Sequence, residues 1–183
     1  RPKNTKEAAG QAGIYRADRK LMRNRANAGL EVLKKHPLAD AKRIAAIGYC
    51  FGGGTALELA RNGADLCGVV SFHGNLDTPH PDDAKNIRAK VMVLHGADDP
   101  YVPVEDVIKF QKEMHAAGAD WYMISYGNAV HSFTNPEAGR DPFTYDGAAG
   151  IFSEMDHFGT GIGLLPVIGH CHRIELPNRI ITF

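Results

Sequence analysis

From Tyr15 to Lys35 the chain places apolar or small residues at Met22, Ala26, Gly29, Leu30 and Leu33, with Arg and Lys between them. That is the spacing of a helix with one buried face, and Pro37 predicts its end. Four short apolar runs follow: "RIAAIGY" (Arg43 to Tyr49), "LCGVVSF" (Leu66 to Phe72), "KVMVLHG" (Lys90 to Gly96) and "WYMISY" (Trp121 to Tyr126). All four read as strands, the first of them as one buried on both faces. Between them, "GGTALELARNG" (Gly53 to Gly63) reads as a helix capped by Gly63. Pro103 opens another, with Val104, Val107, Ile108 and Met114 along one side and Gly118 closing it. Strand and helix in alternation predict an α/β fold, a mostly parallel sheet with helices on both faces. In such sheets the chemistry sits beyond the carboxyl ends of the strands.

The pattern stops near Asp146. From Gly147 to Phe183 glycines and prolines recur without either period, so the division expected is a partial α/β domain over 1–146 and an unassigned tail over 147–183. With 183 residues, 44% of them hydrophobic, the chain can bury one core. Lys plus Arg and Asp plus Glu both total 21, which leaves no net field for a nucleic-acid backbone or an anionic membrane. The most apolar late segment, Ile162 to Ile168, is short and broken by Pro166. Cys50, Cys67 and Cys171 form an odd set without CxxC spacing, which suits a reducing, cytoplasmic setting better than a disulfide framework. A monomer is expected.

Candidate chemistry centres on "GYCFG", Gly48 to Gly52, where a strand turns directly into a helix. The pattern is that of a nucleophile elbow with Cys50 in the serine position. Such a turn forces the central residue into a strained backbone conformation, and glycines on either side remove collisions that side chains would cause. The thiol would then stand over a helix N-terminus, which favours thiolate, with the Phe51 N–H placed to hold an oxyanion. A buried, inert cysteine is the alternative reading. Context favours the elbow: "HGADDPYVP" (His95 to Pro103) and "NAVHSF" (Asn128 to Phe133) follow the next strands and emerge at the same sheet edge. Nucleophile, acid, histidine is the chain order of α/β-hydrolases.

Taken with "VSFHG" (Val70 to Gly74) and "HSFTNPEAG" (His131 to Gly139), these motifs resemble the dienelactone hydrolase family over roughly Tyr15 to Asp146. The resemblance implies a triad of Cys50, Asp99 and His131. Asp98 and Asp99 compete for the acid role. The family's G-x-x-D-x-x-V-P pattern, counted from Gly96 and Pro103, lands on Asp99, leaving Asp98 as a turn or capping residue. His73 also follows a strand; by resemblance it lines the substrate pocket, while its bland reading is a strand-end histidine satisfied by backbone. Arg88, His95 and Tyr101 fall near the same edge, and Tyr101 is grouped with His73 as substrate-binding.

The expected activity is hydrolysis of small esters or lactones through an acyl-enzyme, without cofactor or metal. The alternatives are an inactive remnant of the fold, or a thiol hydrolase of other activated esters such as thioesters and phosphoesters. Family members hold a substrate carboxylate with an arginine four residues after the histidine, where this chain has Asn135, so a neutral or differently charged ester is expected in place of the dienelactone. "HCH" (His170 to His172), with His157 upstream, lacks a ligand spacing, and "GTGIG" (Gly159 to Gly163) follows no buried strand. The family also carries strands ahead of the nucleophile strand that this sequence lacks, together with a second oxyanion N–H and an early acidic residue. Arg43 to Tyr49 is therefore expected to form a raw sheet edge, in a partial family member with an altered C-terminus.

Overall fold

The computed structural model describes residues 2–135 and 180–183. The four apolar runs form β1 (Ala45–Tyr49), β2 (Gly68–Phe72), β3 (Lys90–Gly96) and β4 (Trp121–Tyr126), and a short β5 (Ile180–Thr182) joins them. They make one parallel sheet in the order β4-β3-β2-β1-β5. The helices are α1 (Thr5–Ala17), α2 (Arg19–Lys34), α3 (Phe51–Arg61) and α4 (Val104–Ala117), with a 3-10 turn over Pro81–Asn86. Gly63 (φ 78°) and Gly118 (φ 65°) take the left-handed conformation that closes α3 and α4.

Two expectations are corrected. The helix read from Tyr15 onward is two helices, because Asp18 leaves the helical conformation and its side chain accepts the Leu21 N–H at 2.9 Å, starting α2 afresh. The nucleophile-bearing strand is not a raw edge either. β5 lies parallel to β1 with Ala45 opposite Ile180 and Ile47 opposite Thr182, and the Phe183 N–H donates to the Ile47 carbonyl at 2.9 Å. Three β-branched residues at the end of an otherwise aperiodic stretch thus satisfy backbone groups that β1 would leave open.

The pleat divides the core. On one face Ala46, Val69, Val91 and Val93 pack with Ala26 and Leu30 of α2, Leu57 and Ala60 of α3, and Phe110 and Met114 of α4. On the other, Val70, Phe72, Met92 and Leu94 pack with Ala129 and Phe133 from the segment after β4. Between the helices runs a buried ionic knot. Arg61, 1% exposed, donates to Glu113 at 2.7 and 2.8 Å, to Glu58 at 3.0 Å and to the Leu76 carbonyl at 3.0 Å, while Arg23 reaches Glu58 at 2.8 Å and Asp83 at 2.5 Å. Each buried charge has partners from another element, as such burial requires. Among the described residues no helix is long and apolar enough to cross a membrane. The "HCH" and "GTGIG" segments and the tail before Ile180 lie outside the described residues.

Candidate active site

Cys50 sits between β1 and α3 with φ 52° and ψ −122°, a conformation an L-residue holds only when its surroundings impose it. The glycines show why the turn closes. A Cβ on Gly48 would run into the Gly52 carbonyl across the elbow, and one on Gly53 would come within 2.5 Å of Ser71 Oγ and 2.9 Å of Gly74 Cα. Gly52 is tight for a different reason: its Cβ would meet the backbone of Phe183, just past β5. Cys50 is the free cysteine among the described residues.

Asp99 and His131 arrive from the ends of β3 and β4. Gly96 lets the two loops approach, since a Cβ there would lie 2.5 Å from the Ala129 carbonyl, and the Asp98 N–H donates to that same carbonyl at 3.0 Å. Asp99 is 5% exposed. One of its carboxylate oxygens accepts the Tyr101 N–H at 2.9 Å and the other pairs with His131 Nδ1 at 2.8 Å. Asp98 is exposed and faces no such partner. A ring nitrogen of His131 lies within 4.8 Å of the Cys50 sulfur, so carboxylate, imidazole and sulfur are neighbours in that order.

His73, the residue after β2, is 2% exposed and packs against the Cys50 sulfur. Its Nδ1 is 3.3 Å from Cys50 Sγ and its Nε2 is 2.7 Å from Thr134 Oγ1. The Cys50 N–H donates to the Phe72 carbonyl at 3.1 Å and also reaches His73 Nδ1 at 3.3 Å, so that nitrogen faces both the amide and the sulfur of Cys50. Ser132 Oγ stands 3.6 Å from Sγ on another side. Cys50, His73 and Ser132 supply three of the four non-glycine residues with positive φ among the described residues, so backbone strain converges on the thiol. Tyr101, 69% exposed, packs the edge of its ring on His131 at 5.0 Å between centroids. Phe51 opens α3, where helix amides have no intrahelical acceptor.

These surroundings reset both titrating groups. Burial pushes the Cys50 thiol up, but its interactions with His131, then with His73, and with the Ser132 hydroxyl outweigh it, and the pKa falls to about 5. Burial pulls His131 down, while its interactions with Asp99 and Cys50 and their negative charge raise it to about 9. Between these values the pair is thiolate and imidazolium. Ser132 and Thr134 were missed by the sequence reading. Their one signal is position, at the first and third places after the histidine.

Four similarities to known proteins bear on this arrangement. The profile described as "Dienelactone hydrolase family" matches residues 2–153. An uncharacterized protein of Caenorhabditis elegans is 38% identical over 120 residues, covering 64% of this chain and 75% of that protein. A Salmonella typhimurium protein bearing a carboxymethylenebutenolidase name is 31% identical over 102 residues, covering 51% of this chain and 38% of that protein, so the chain spans well under half of that relative. The crystal structure of a dienelactone hydrolase-like promiscuous phosphotriesterase from metagenomic libraries superposes with a TM-score of 0.74 at 40% identity, covering 86% of this chain and 67% of that one. The parallel sheet, the elbow at its edge and the match over most of the described residues agree: this chain belongs to the dienelactone hydrolase family.

Proposed function

We propose that the protein hydrolyses small carboxylic esters or lactones by way of an acyl-enzyme on Cys50. The observation that supports this reading is an elbow thiol within 4.8 Å of an imidazole that Asp99 holds at 2.8 Å, with the thiol's pKa drawn down to about 5. The thiolate adds to the acyl carbon. Negative charge develops on the carbonyl oxygen, where the Phe51 N–H at the start of α3 offers a hydrogen bond. His131, protonated at the pH of the reaction, gives its proton to the departing alkoxide, and Asp99 holds the ring through Nδ1 so that the other nitrogen faces the sulfur. Water then attacks the thioester while His131 takes a proton from it, releasing the carboxylic acid and restoring the thiolate.

Asn135 in place of an arginine fits a substrate without a carboxylate. A second reading is favoured by the 40% identical phosphotriesterase: the same thiolate attacking an activated phosphoester. Rapid mixing with a chromogenic carboxylic ester tests the proposal. One equivalent of product should appear in a burst, followed by slower turnover, and Cys50→Ala should abolish both. A folded protein that gives neither burst nor turnover is the inactive remnant of the fold. A panel containing a chromogenic phosphotriester separates the two substrate classes.

A further inference from the structure

A hydrolytic triad uses one imidazole, and the Cys50 sulfur has two. We propose that Cys50, His73 and His131 also form an inhibitory site for a thiophilic divalent cation of the zinc class, which binds the sulfur and takes the nucleophile out of action. The inference concerns regulation of the site just described, and rests on its geometry rather than on ester hydrolysis.

One donor atom from each of the three residues lies within 4.8 Å of the other two, and Cys50 Sγ is 3.3 Å from His73 Nδ1. Tetrahedral zinc with bonds of about 2.3 Å to sulfur and about 2.0–2.1 Å to nitrogen needs donor separations of about 3.4–3.6 Å, so a small movement closes the set. The outer partners suit ligation as well. His131 has its Nδ1 held by Asp99 at 2.8 Å, and His73 has its Nε2 held by Thr134 at 2.7 Å. In both rings the nitrogen turned away from the sulfur is fixed by an oxygen and the other faces it, as in ligating histidines; at His73 the ion would displace the 3.3 Å contact from the Cys50 N–H to Nδ1. His73 is buried while Cys50 and His131 are partly exposed, so an ion can enter from the solvent side and keep water as its fourth ligand.

The balance is simple. The cation forms one bond to sulfur and one to each imidazole, the thiolate–imidazolium pair gives up its one proton to solvent, and no redox change occurs. No ligand spacing announces this site, because its members come from the ends of three different strands.

Cobalt(II) titrated into the metal-free, reduced protein tests the proposal without reference to catalysis. The expected result is one equivalent bound with sulfur-to-cobalt charge-transfer absorption, displacement of that absorption by zinc, and protection of Cys50 from alkylation by the bound metal. His73→Gln should weaken binding at least tenfold, and Thr134→Ala, which leaves all three ligands, should weaken it about tenfold. Absence of the charge-transfer band in the unaltered protein overturns the proposal, as does a folded His73→Gln protein that binds as tightly as the parent. Metal binding by a protein without esterase activity would refute only the hydrolytic reading; esterase activity without the band would refute only this one.

Discussion

Alkylation of Cys50 as a function of pH probes the thiol most directly, with His131→Ala as the perturbation. Near pH 6 a thiol of pKa about 5 is about nine-tenths ionised, whereas an ordinary thiol of pKa about 8.5 is about 0.3% ionised, a ratio of about 300. Lower basicity weakens the nucleophile by about 0.4–0.5 log unit per pKa unit, which takes back about 25- to 55-fold. Cys50 should therefore react with iodoacetamide about 5- to 12-fold faster than glutathione near pH 6, yet about 20- to 40-fold slower near pH 9, where both are ionised. Burial opposes the thiolate, and the interaction with His131 is the largest of the effects that overcome it. Its removal in His131→Ala should lift the labelling midpoint by about two pH units. The midpoint is the readout, because a rate at one pH mixes ionisation with nucleophilicity. Labelling is followed by mass spectrometry with the modified site mapped to Cys50. A parental midpoint at or above that of glutathione, or one unmoved by His131→Ala, refutes the ion-pair assignment.

Acylation should hold a plateau between about pH 5 and about pH 9: it falls on the acid side as the thiolate is protonated, and on the alkaline side as His131 loses the proton owed to the leaving group. Stopped-flow bursts across pH check this, and a rate still rising through pH 9 would contradict it. Asp99→Asn should slow the burst by about 10²–10⁴-fold with substrate affinity little changed. Arg61→Met removes the shared partner of Glu58 and Glu113 and should cost about 3–5 kcal/mol in urea unfolding, while a neutral result would mean the knot is not buried as described. Gly48→Ala should lower stability by about 1–3 kcal/mol or more, because its methyl meets the Gly52 carbonyl. Removing residues 180–183 uncovers the edge of β1 and should promote association visible by light scattering.

The sheet was legible because its strands are short, mostly apolar runs: all four runs contain the observed β1 to β4, although β4 leaves Tyr122, Ile124 and Ser125 exposed, and the caps at Gly63 and Gly118 fall where glycine must take positive φ. The local competition at Asp18 was hidden, since an aspartate inside a helical pattern reads as solvent-facing until its carboxylate is seen on Leu21 N. β5 carries too few residues for any period to register. At the site, motif spacing brought Cys50, Asp99 and His131 to one edge and preferred Asp99 over Asp98, the aspartate now seen against His131. It did not show that His73 packs against the sulfur, or that Thr134 and Ser132 complete its surroundings, because those contacts join residues 61 and 82 positions apart. Long-range contacts between loops leave no mark in local pattern. The same holds for Glu58 and Arg61, ordinary helix residues by sequence and each only 1% exposed.

Four successive strands each deliver one group to the sulfur's neighbourhood, and β4, which brings His131, is held along one side only among the described residues, by β3. Fraying of that outermost strand would carry the imidazole off while Cys50 stayed fixed between β1 and α3. Reactivity of the thiol is thus a sensor of peripheral opening, and conditions that loosen the sheet's margin should silence chemistry well before the protein melts.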